Sequence, residues 1–502
     1  MVEPRPIRTP APQSATATAE RPPAAPRSRT AGPGGGRGGG PGGAVAALRG
    51  LLARPMSSYY LLVSSSGLLL VIGLTMVFSA TSVRDFKSEG NPYAALTRQA
   101  LFAVIGLVAF WICQRLPGRT FRQVAPLVLG AAVVLLLLVN GLIMYQTLRD
   151  LKVARLGPFE ASGSWLFIGP FQLQPSELAK FGLVLWGADV LARKGAELGW
   201  WRELLSPLFP VVAMVFLLVG YDDLGTMLIL LSLLVGLLWA AGVRLRVFGV
   251  LGLVAAGGVA LLVAATQESD ASGGDPPANY RLARLTAFLN PGPDCKQFDC
   301  YQATQAKYAI ADGGWFGAGL GRGSLKWDYL PEAHNDFIFA VIAEELGVVG
   351  CAVVLALLAV LTYTGFRIAR RVGDPFRRLA AASATTWLVG QAVINIGGVV
   401  GLLPITGLPL PFISDGGSAL VVTLAAVGML ASFARAEPDA ARALHARPPA
   451  KWVRLLWAPL PPLPPERSRA KSTAGGSAGA AARTPARPAR GGGTVRDEKR
   501  RR

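Results

Sequence analysis

The stretch YYLLVSSSGLLLVIGLTMVFSA (Tyr59–Ala80) runs for 22 residues without a charged side chain. A helix needs about 20 consecutive apolar residues to cross the hydrocarbon core of a bilayer, so this stretch reads as a membrane span. Outward from it come nine more apolar runs, at 99–114, 124–145, 173–192, 207–220, 224–242, 247–266, 336–363, 379–402 and 410–434. The expected fold class is an all-α polytopic membrane protein with ten transmembrane helices. The fifth run is short and opens with Pro207 and Pro210. It meets the sixth at Tyr221-Asp222-Asp223, where a tight polar hairpin is expected. Joining these two runs into one broken helix gives nine spans and puts the termini on opposite sides.

Composition agrees. Of the 502 residues, 52% are hydrophobic and 16% charged, against about 25% charged in soluble domains. The net charge of +20 would suit a nucleic-acid binder, but it lies in the wrong place. Residues 1–58 carry +6 and residues 435–502 carry +11, leaving the body, 59–434, nearly neutral. Both ends are rich in Pro, Gly, Ala and Ser, a composition that buries too little apolar surface to offset chain entropy. They are expected to be disordered basic tails suited to membrane lipids or protein partners, with a solvated linker as the plain alternative; no nucleic-acid partner is expected. The loops that face the tails' side (115–123, 193–206, 243–246 and 367–378) hold 13 Lys/Arg in 39 residues, whereas the opposite loops hold 12 in about 124. Positive loops stay cytoplasmic, so both termini are expected inside a plasma (inner) membrane. No cleavable leader is expected, because the first apolar run starts only near residue 59.

One outer loop, 267–335, dominates, and a second, 146–172, is of moderate length. Long loops in compact proteins are usually functional. Cys113 and Cys351 lie in spans and read as small apolar fillers. Cys295 and Cys300 lie in the large loop, where a disulfide and two free thiols both remain open. The large loop and its flank read NPGPDCKQFDCYQATQAKYAIADGGWFGAGLGRGSLKWDYLPEAHNDFIFAVIAEELG (290–347). Around it stand FSATS (78–82), Arg98-Gln99, QPSELAK (174–180), DLGT (223–226), INIGGVVGLLPITGLPLPFIS (394–414) and GGS (416–418).

In the order and spacing of these motifs over 59–434 the chain resembles the SEDS family of peptidoglycan polymerases. PEAHNDFIF and the long basic tails point to the division-type branch in its actinobacterial form, with the elongation-type branch as runner-up. The resemblance implies a ten-span glycosyltransferase that polymerises lipid II at the outer face of the membrane, at the division septum. It implies a catalytic carboxylate in the large outer loop, which N-P-x-x-D places at Asp294, and a class B penicillin-binding protein as partner beside other division proteins. A lipid II flippase is the alternative role. The chain departs from the family pattern at Tyr221-Asp222, at Ser162-Gly163-Ser164-Trp165, which lacks the usual basic residue, and at Asp415.

Transfer to a sugar hydroxyl needs a base, while a pyrophosphate departs without an acid. A single carboxylate, Asp294, suffices, although Asp after Asn-Pro-Gly-Pro is also an ordinary turn residue. Arg281 and Arg284 are three apart just beyond the seventh run and suit bidentate phosphate contact, or anchoring to lipid headgroups. Lys307 and Lys326 are further loop cations. Glu177 and Lys180, three apart in the fourth run, would pair on one helical face, either beside a substrate cavity or as a structural ion pair. Asp336 and Glu344, eight apart, are expected on one face of the eighth span, with Glu345 pointing elsewhere. His334 is expected to orient the loop, and Asn395 to bond between helices. No cofactor is required by the residues. A divalent ion assisting the leaving group would be a hard, oxygen-bound one such as Mg²⁺ or Mn²⁺, since His334 and His445 are the only histidines. The Gly317/319/321/323 repeat lacks a strand–helix context for nucleotide binding and reads as a flexible part of the loop. Ser468…Lys471 is the only S-x-x-K and lies in the tail, so no penicillin-binding acyl-enzyme is expected in this chain.

Overall fold

The computed structural model describes residues 50, 52–149, 154–169, 171–195, 206–220, 223–254, 257, 288, 298–327 and 329–463. The chain divides between Arg54 and Pro55, and the elements below belong to the second part. They are α1 (Ser57–Glu89), α2 (Ala94–Arg115), α3 (Gly118–Arg149), α4 (Pro175–Lys194), α5 (Leu208–Gly220), α6 (Leu224–Ala241), α7 (Leu245–Val254), α8 (Phe298–Gly313), α9 (Ile338–Arg371), α10 (Pro375–Val399), α11 (Gly417–Arg435), α12 (Pro438–Ala446) and α13 (Lys451–Leu456). Among the described residues, α1, α2, α3, α9, α10 and α11 are long and apolar enough to cross a membrane, while α5, α6 and α7 are shorter apolar helices. The run expected at 247–266 is described only through 254 and at 257.

The helices are built for lipid. In α1 the small polar residues Ser58, Ser65, Ser66 and Ser79 are buried, while Leu68 and Val71 face outward. Ser65 and Ser66 return their hydroxyls to the carbonyls of Leu61 and Leu62, at 2.7 and 2.8 Å. Small residues inside and large apolar ones outside are what helix packing in hydrocarbon selects. Helices α2 and α11 pack so closely that a side chain on Gly428 would stand 2.5 Å from the Phe110 carbonyl. Helix α4 is the exception in composition: it carries Glu177, Lys180, Asp189, Arg193 and Lys194. It lies at the centre, packed against α3, α5, α6, α10 and α11, so protein surrounds Glu177, Lys180 and Asp189, while Arg193 at its end is exposed.

The expected span 410–434 begins late. Helix α11 starts at Gly417, and residues 404–416 form an irregular loop whose Leu408, Leu410, Phe412 and Ile413 are all buried. Pro404, Pro409 and Pro411 prevent a helix there. Buried irregular backbone needs partners for its polar groups, and side chains from two helices, α10 and α2, supply them. Asn395 donates to the Leu408 carbonyl (2.6 Å), Gln391 to Pro409 (2.9 Å) and Gln99 to Ser414 (3.2 Å). Phe412 holds φ +68°, with its carbonyl so near Gly73 of α1 that a Cβ there would come within 2.4 Å.

Helix α9 is broken at Gly347 (φ 66°, ψ −164°), and the glycine-rich segment fills the break. Ala318 and Gly319 donate their amides to the carbonyls of Glu344 and Glu345 at 2.9 and 3.0 Å, while Val348 and Val349 donate to Gly314 and Trp315 at 3.0 and 3.2 Å. The segment expected to be flexible is thus a backbone clamp between the outer loop and α9, and its glycines allow the close approach. Gly347→Ala places a side chain in a conformation open essentially to glycine alone, 2.5 Å from the Gly317 nitrogen. It is expected to cost about 1–3 kcal/mol, measured as a fall in Tm of the purified protein; an unchanged Tm would contradict the clamp.

Between α3 and α4 the chain forms a four-stranded antiparallel meander, β1 (Ala154–Leu156), β2 (Phe159–Ser162), β3 (Trp165–Ile168) and β4 (Phe171–Leu173), in that order. Positive φ at Gly157, Gly163 and Gly169 matches the demand of tight hairpin turns. Ala161 and Leu166 bury against Val139 and Leu142 of α3. At the other end, the tail expected to be disordered from 435 onward continues as α12 and α13. Hydrogen bonds from Trp111, Arg115 and Arg435 to the carbonyls of residues 455–459 hold this stretch in place.

Candidate functional site

Residues 325–334, in the stretch before α9, close over the end of α1. The tripeptide His334-Asn335-Asp336 is held there by its backbone. Its three carbonyls accept from the Asp415 amide (3.1 Å), the Ser414 hydroxyl (2.6 Å) and the Asn395 side chain (2.8 Å). The proline loop 404–416 and α10 therefore set the height of this turn, and the His334 ring is left to face the mouth of a cavity. That cavity, of about 280 Å³, is lined by Ala80, Arg84, Leu325, Leu330, Glu332 and His334 among others.

Its polar groups are arranged around the imidazole. Arg84 Nη1 lies 3.4 Å from both ring nitrogens, and the Glu332 carboxylate is 3.9 Å from Nε2. Arg98 pairs with the carboxylate of Asp415 at 3.3 Å, the residue whose amide donates to the His334 carbonyl. Burial pushes the His334 pKa below its ordinary value near 6.5; Glu332 and Asp415 pull it up, and Arg84 and Arg98 push it down again. The ring is thus neutral at pH 7 and can accept from Arg84. A folded-state pKa below the unfolded one means that the unfolded chain binds the extra proton first. The stability contributed is complete above about pH 6.5 and is lost as pH falls below it. Melting followed from about pH 7.5 to about pH 5.5 is expected to show a decline that His334→Gln flattens.

The two neighbouring carboxylates of α9 take separate tasks. Glu344 Oε1 accepts from the Ser324 amide and hydroxyl (2.5 and 2.7 Å), fastening the glycine-rich segment. Glu345 receives Ser79 of the FSATS motif, whose hydroxyl lies 2.7 and 2.6 Å from its two oxygens. Glu345 does point elsewhere. The expectation that Asp336 shares a helical face with Glu344 is corrected, because α9 starts only at Ile338 and Asp336 sits in the turn before it.

Glu177 and Lys180 do form the expected pair, at 2.7 Å, with side chains 1% and 0% exposed. Lys180 also donates to Gln391 Oε1 (3.1 Å), which accepts from Trp387 (2.9 Å). The pair lies in the core beneath the proline loop and does not line the cavity. Lys307, on α8, is exposed and stands over Gly401 at the end of α10, outside the cavity lining. Asp294, Arg281 and Arg284 lie outside the described residues, as does Cys295; Cys113 and Cys351 are free thiols. Among the described residues no three of His, Cys, Asp and Glu are grouped to hold a metal ion. Sequence reasoning missed Arg84 and Glu332. Arg84 falls two residues past the FSATS motif, and Glu332 lies inside PEAHNDFIF, so both had a motif beside them as a signal.

Comparison with known proteins is consistent over the whole helical body. Residues 60–438 match the family model of the FtsW/RodA/SpoVE cell cycle proteins. The chain is 43% identical over 419 residues to a protein of Mycobacterium tuberculosis named probable peptidoglycan glycosyltransferase FtsW, covering 82% of this chain and 75% of that one. It is 36% identical over 377 residues to the stage V sporulation protein E of Bacillus subtilis, covering 75% of this chain and 96% of that one. Among solved structures it is similar to a chain of a peptidoglycan synthase complex described as coordinating polymerization and crosslinking. The TM-score is 0.57 at 27% identity, over 75% of this chain and 97% of that one.

Proposed function

We propose, from the premise that this chain belongs to the FtsW/RodA/SpoVE family of cell cycle proteins, that it is a peptidoglycan glycosyltransferase polymerising lipid II during septal wall synthesis. The observation that carries this reading is the 43% identity with a chain named as such a glycosyltransferase over 82% of this sequence. The chain is read with ten spans, α1 to α7 and α9 to α11, both termini cytoplasmic, and the 267–335 loop outside. Six of these helices are fit to cross a membrane by length and composition, and α4 is buried among its neighbours.

In this reading the acceptor hydroxyl attacks the anomeric carbon of lipid II as the bond to the pyrophosphate breaks. The carboxylate of Asp294 takes the hydroxyl proton, and in-line attack inverts an α-linked donor to a β-linked product. Arg281 and Arg284 bind the departing pyrophosphate. The Arg84–His334–Glu332 cavity holds polar groups of the substrate at the loop's inner edge, with His334 positioning the turn. The buried Glu177–Lys180 pair shapes the core beneath. A divalent ion, if bound, would supply charge neutralisation to the leaving group.

A class B penicillin-binding protein would crosslink the strands. The likeness to a chain of a polymerising and crosslinking complex supports that partner. The test is to purify the chain with its penicillin-binding partner and supply lipid II. Glycan polymer is expected. Transport of the lipid without polymer would instead assign the flippase role.

A further inference from the structure

The segment after α12 is docked by its backbone while its side chains remain outside. Trp111 of α2 donates to the Leu456 carbonyl (2.6 Å), and Arg115 donates to the carbonyls of Leu455 and Leu456. Arg435 donates to the carbonyls of Ala458 and Pro459, at 3.3 and 2.7 Å. Trp457 Nε1 donates to the Tyr59 hydroxyl at 2.6 Å. A helix of six residues such as α13 does not hold its shape in water alone; these bonds fix it across the inner ends of α1, α2 and α11. The fixed pose leaves Trp452, Leu455 and Leu456 67%, 72% and 61% exposed.

Two observations say what covers them. The outward face of α2, including Leu101, Val104, Val108 and Ile112, is exposed and apolar on a helix fit to cross a membrane. It ends at Trp111 and Arg115, the side chains that hold α13. The apolar face of α13 therefore continues a lipid-facing surface at its inner rim. The cations on this stretch are Arg447 and Lys451, both exposed, beside a half-buried Arg454. Tryptophan beside apolar and basic residues is the composition of a helix lying in the headgroup region.

We propose that residues 447–463 form an interfacial anchor that inserts Trp452, Leu455 and Leu456 into the inner leaflet and binds anionic phospholipid headgroups through Arg447 and Lys451. This rests on the membrane reading of α2 and is independent of glycosyl transfer. An inserted anchor would tie the tail beyond residue 463 to the membrane surface and hold the inner ends of α1, α2 and α11 together.

The test is hydrogen exchange of the full chain in nanodiscs of phosphatidylcholine or phosphatidylglycerol. Amides of 447–463 are expected to exchange more slowly in the anionic discs, by up to about fivefold for each cation that meets the surface. Arg447→Glu with Lys451→Glu should erase the difference between the two lipids. Replacing Trp452, Leu455 and Leu456 by serine should speed exchange in both. Equal exchange of 447–463 in both lipids and in detergent would overturn the proposal and leave the face to a protein partner. Equal slowing along the whole chain in the anionic discs would also overturn it, since the effect would not belong to this segment.

Discussion

Asp294→Asn is expected to lower the rate of lipid II polymerisation by about 10²–10⁴-fold, the usual contribution of a positioned general base. The substitution is chosen to separate the two readings of this residue. Asn and Asp both serve turns well, so a carboxylate that only shaped the Asn-Pro-Gly-Pro-Asp turn would be replaced at little cost. An amide, however, cannot take the proton of an attacking hydroxyl. The variant should fold, bind lipid II and associate with its partner as the parent does. Retention of near-parental polymerisation by a folded Asp294→Asn protein would remove Asp294 from the chemistry.

The second large effect is on stability. Lys180→Met removes the cation paired with Glu177, leaving a carboxylate 1% exposed in the middle of the bundle. Breaking a buried pair from one side costs about 3–5 kcal/mol, and the Glu177 atom Oε2 already lacks a hydrogen-bond partner. The single variant is expected to melt far below the parent. The double variant Glu177→Leu/Lys180→Met removes both charges and should recover most of that loss, because an apolar pair of similar volume is often neutral. It should also keep polymerising. A double variant that folds normally but makes no polymer would place the pair in contact with substrate.

How much of this was legible in the sequence depended on which physical signal each part carries. Long uncharged runs such as 59–80 and 124–145 mark α1 and α3 because lipid demands unbroken apolarity. The start of α11 was misplaced because Leu410, Phe412 and Ile413 continue the apolar run, and only Pro409 and Pro411 reveal that this backbone cannot be helical. The sheet at 154–173 had its own signal, a Gly-X turn every six residues at 157, 163 and 169, but strands of three or four residues are too short for an alternation to stand out. The clamp at Gly347 was not legible. A glycine repeat looks the same whether it moves freely or packs against a broken helix, and the distinction lies in a partner 30 residues away. The ion pair at Glu177 and Lys180 was readable from its spacing. Its depth beneath the proline loop was not, because burial is set by the five helices and the loop around it.

The central claim is that this chain builds glycan on the face opposite its basic tails. The most direct measurement uses sealed proteoliposomes that hold the chain and its penicillin-binding partner, sorted so that both tails are enclosed and protected from protease. Lipid II is then supplied only to the outer leaflet. The account predicts glycan polymer from this externally supplied lipid without its prior movement across the bilayer. Polymer formed only when lipid II is placed on the tail side, or lipid II carried across with no polymer at all, would contradict it.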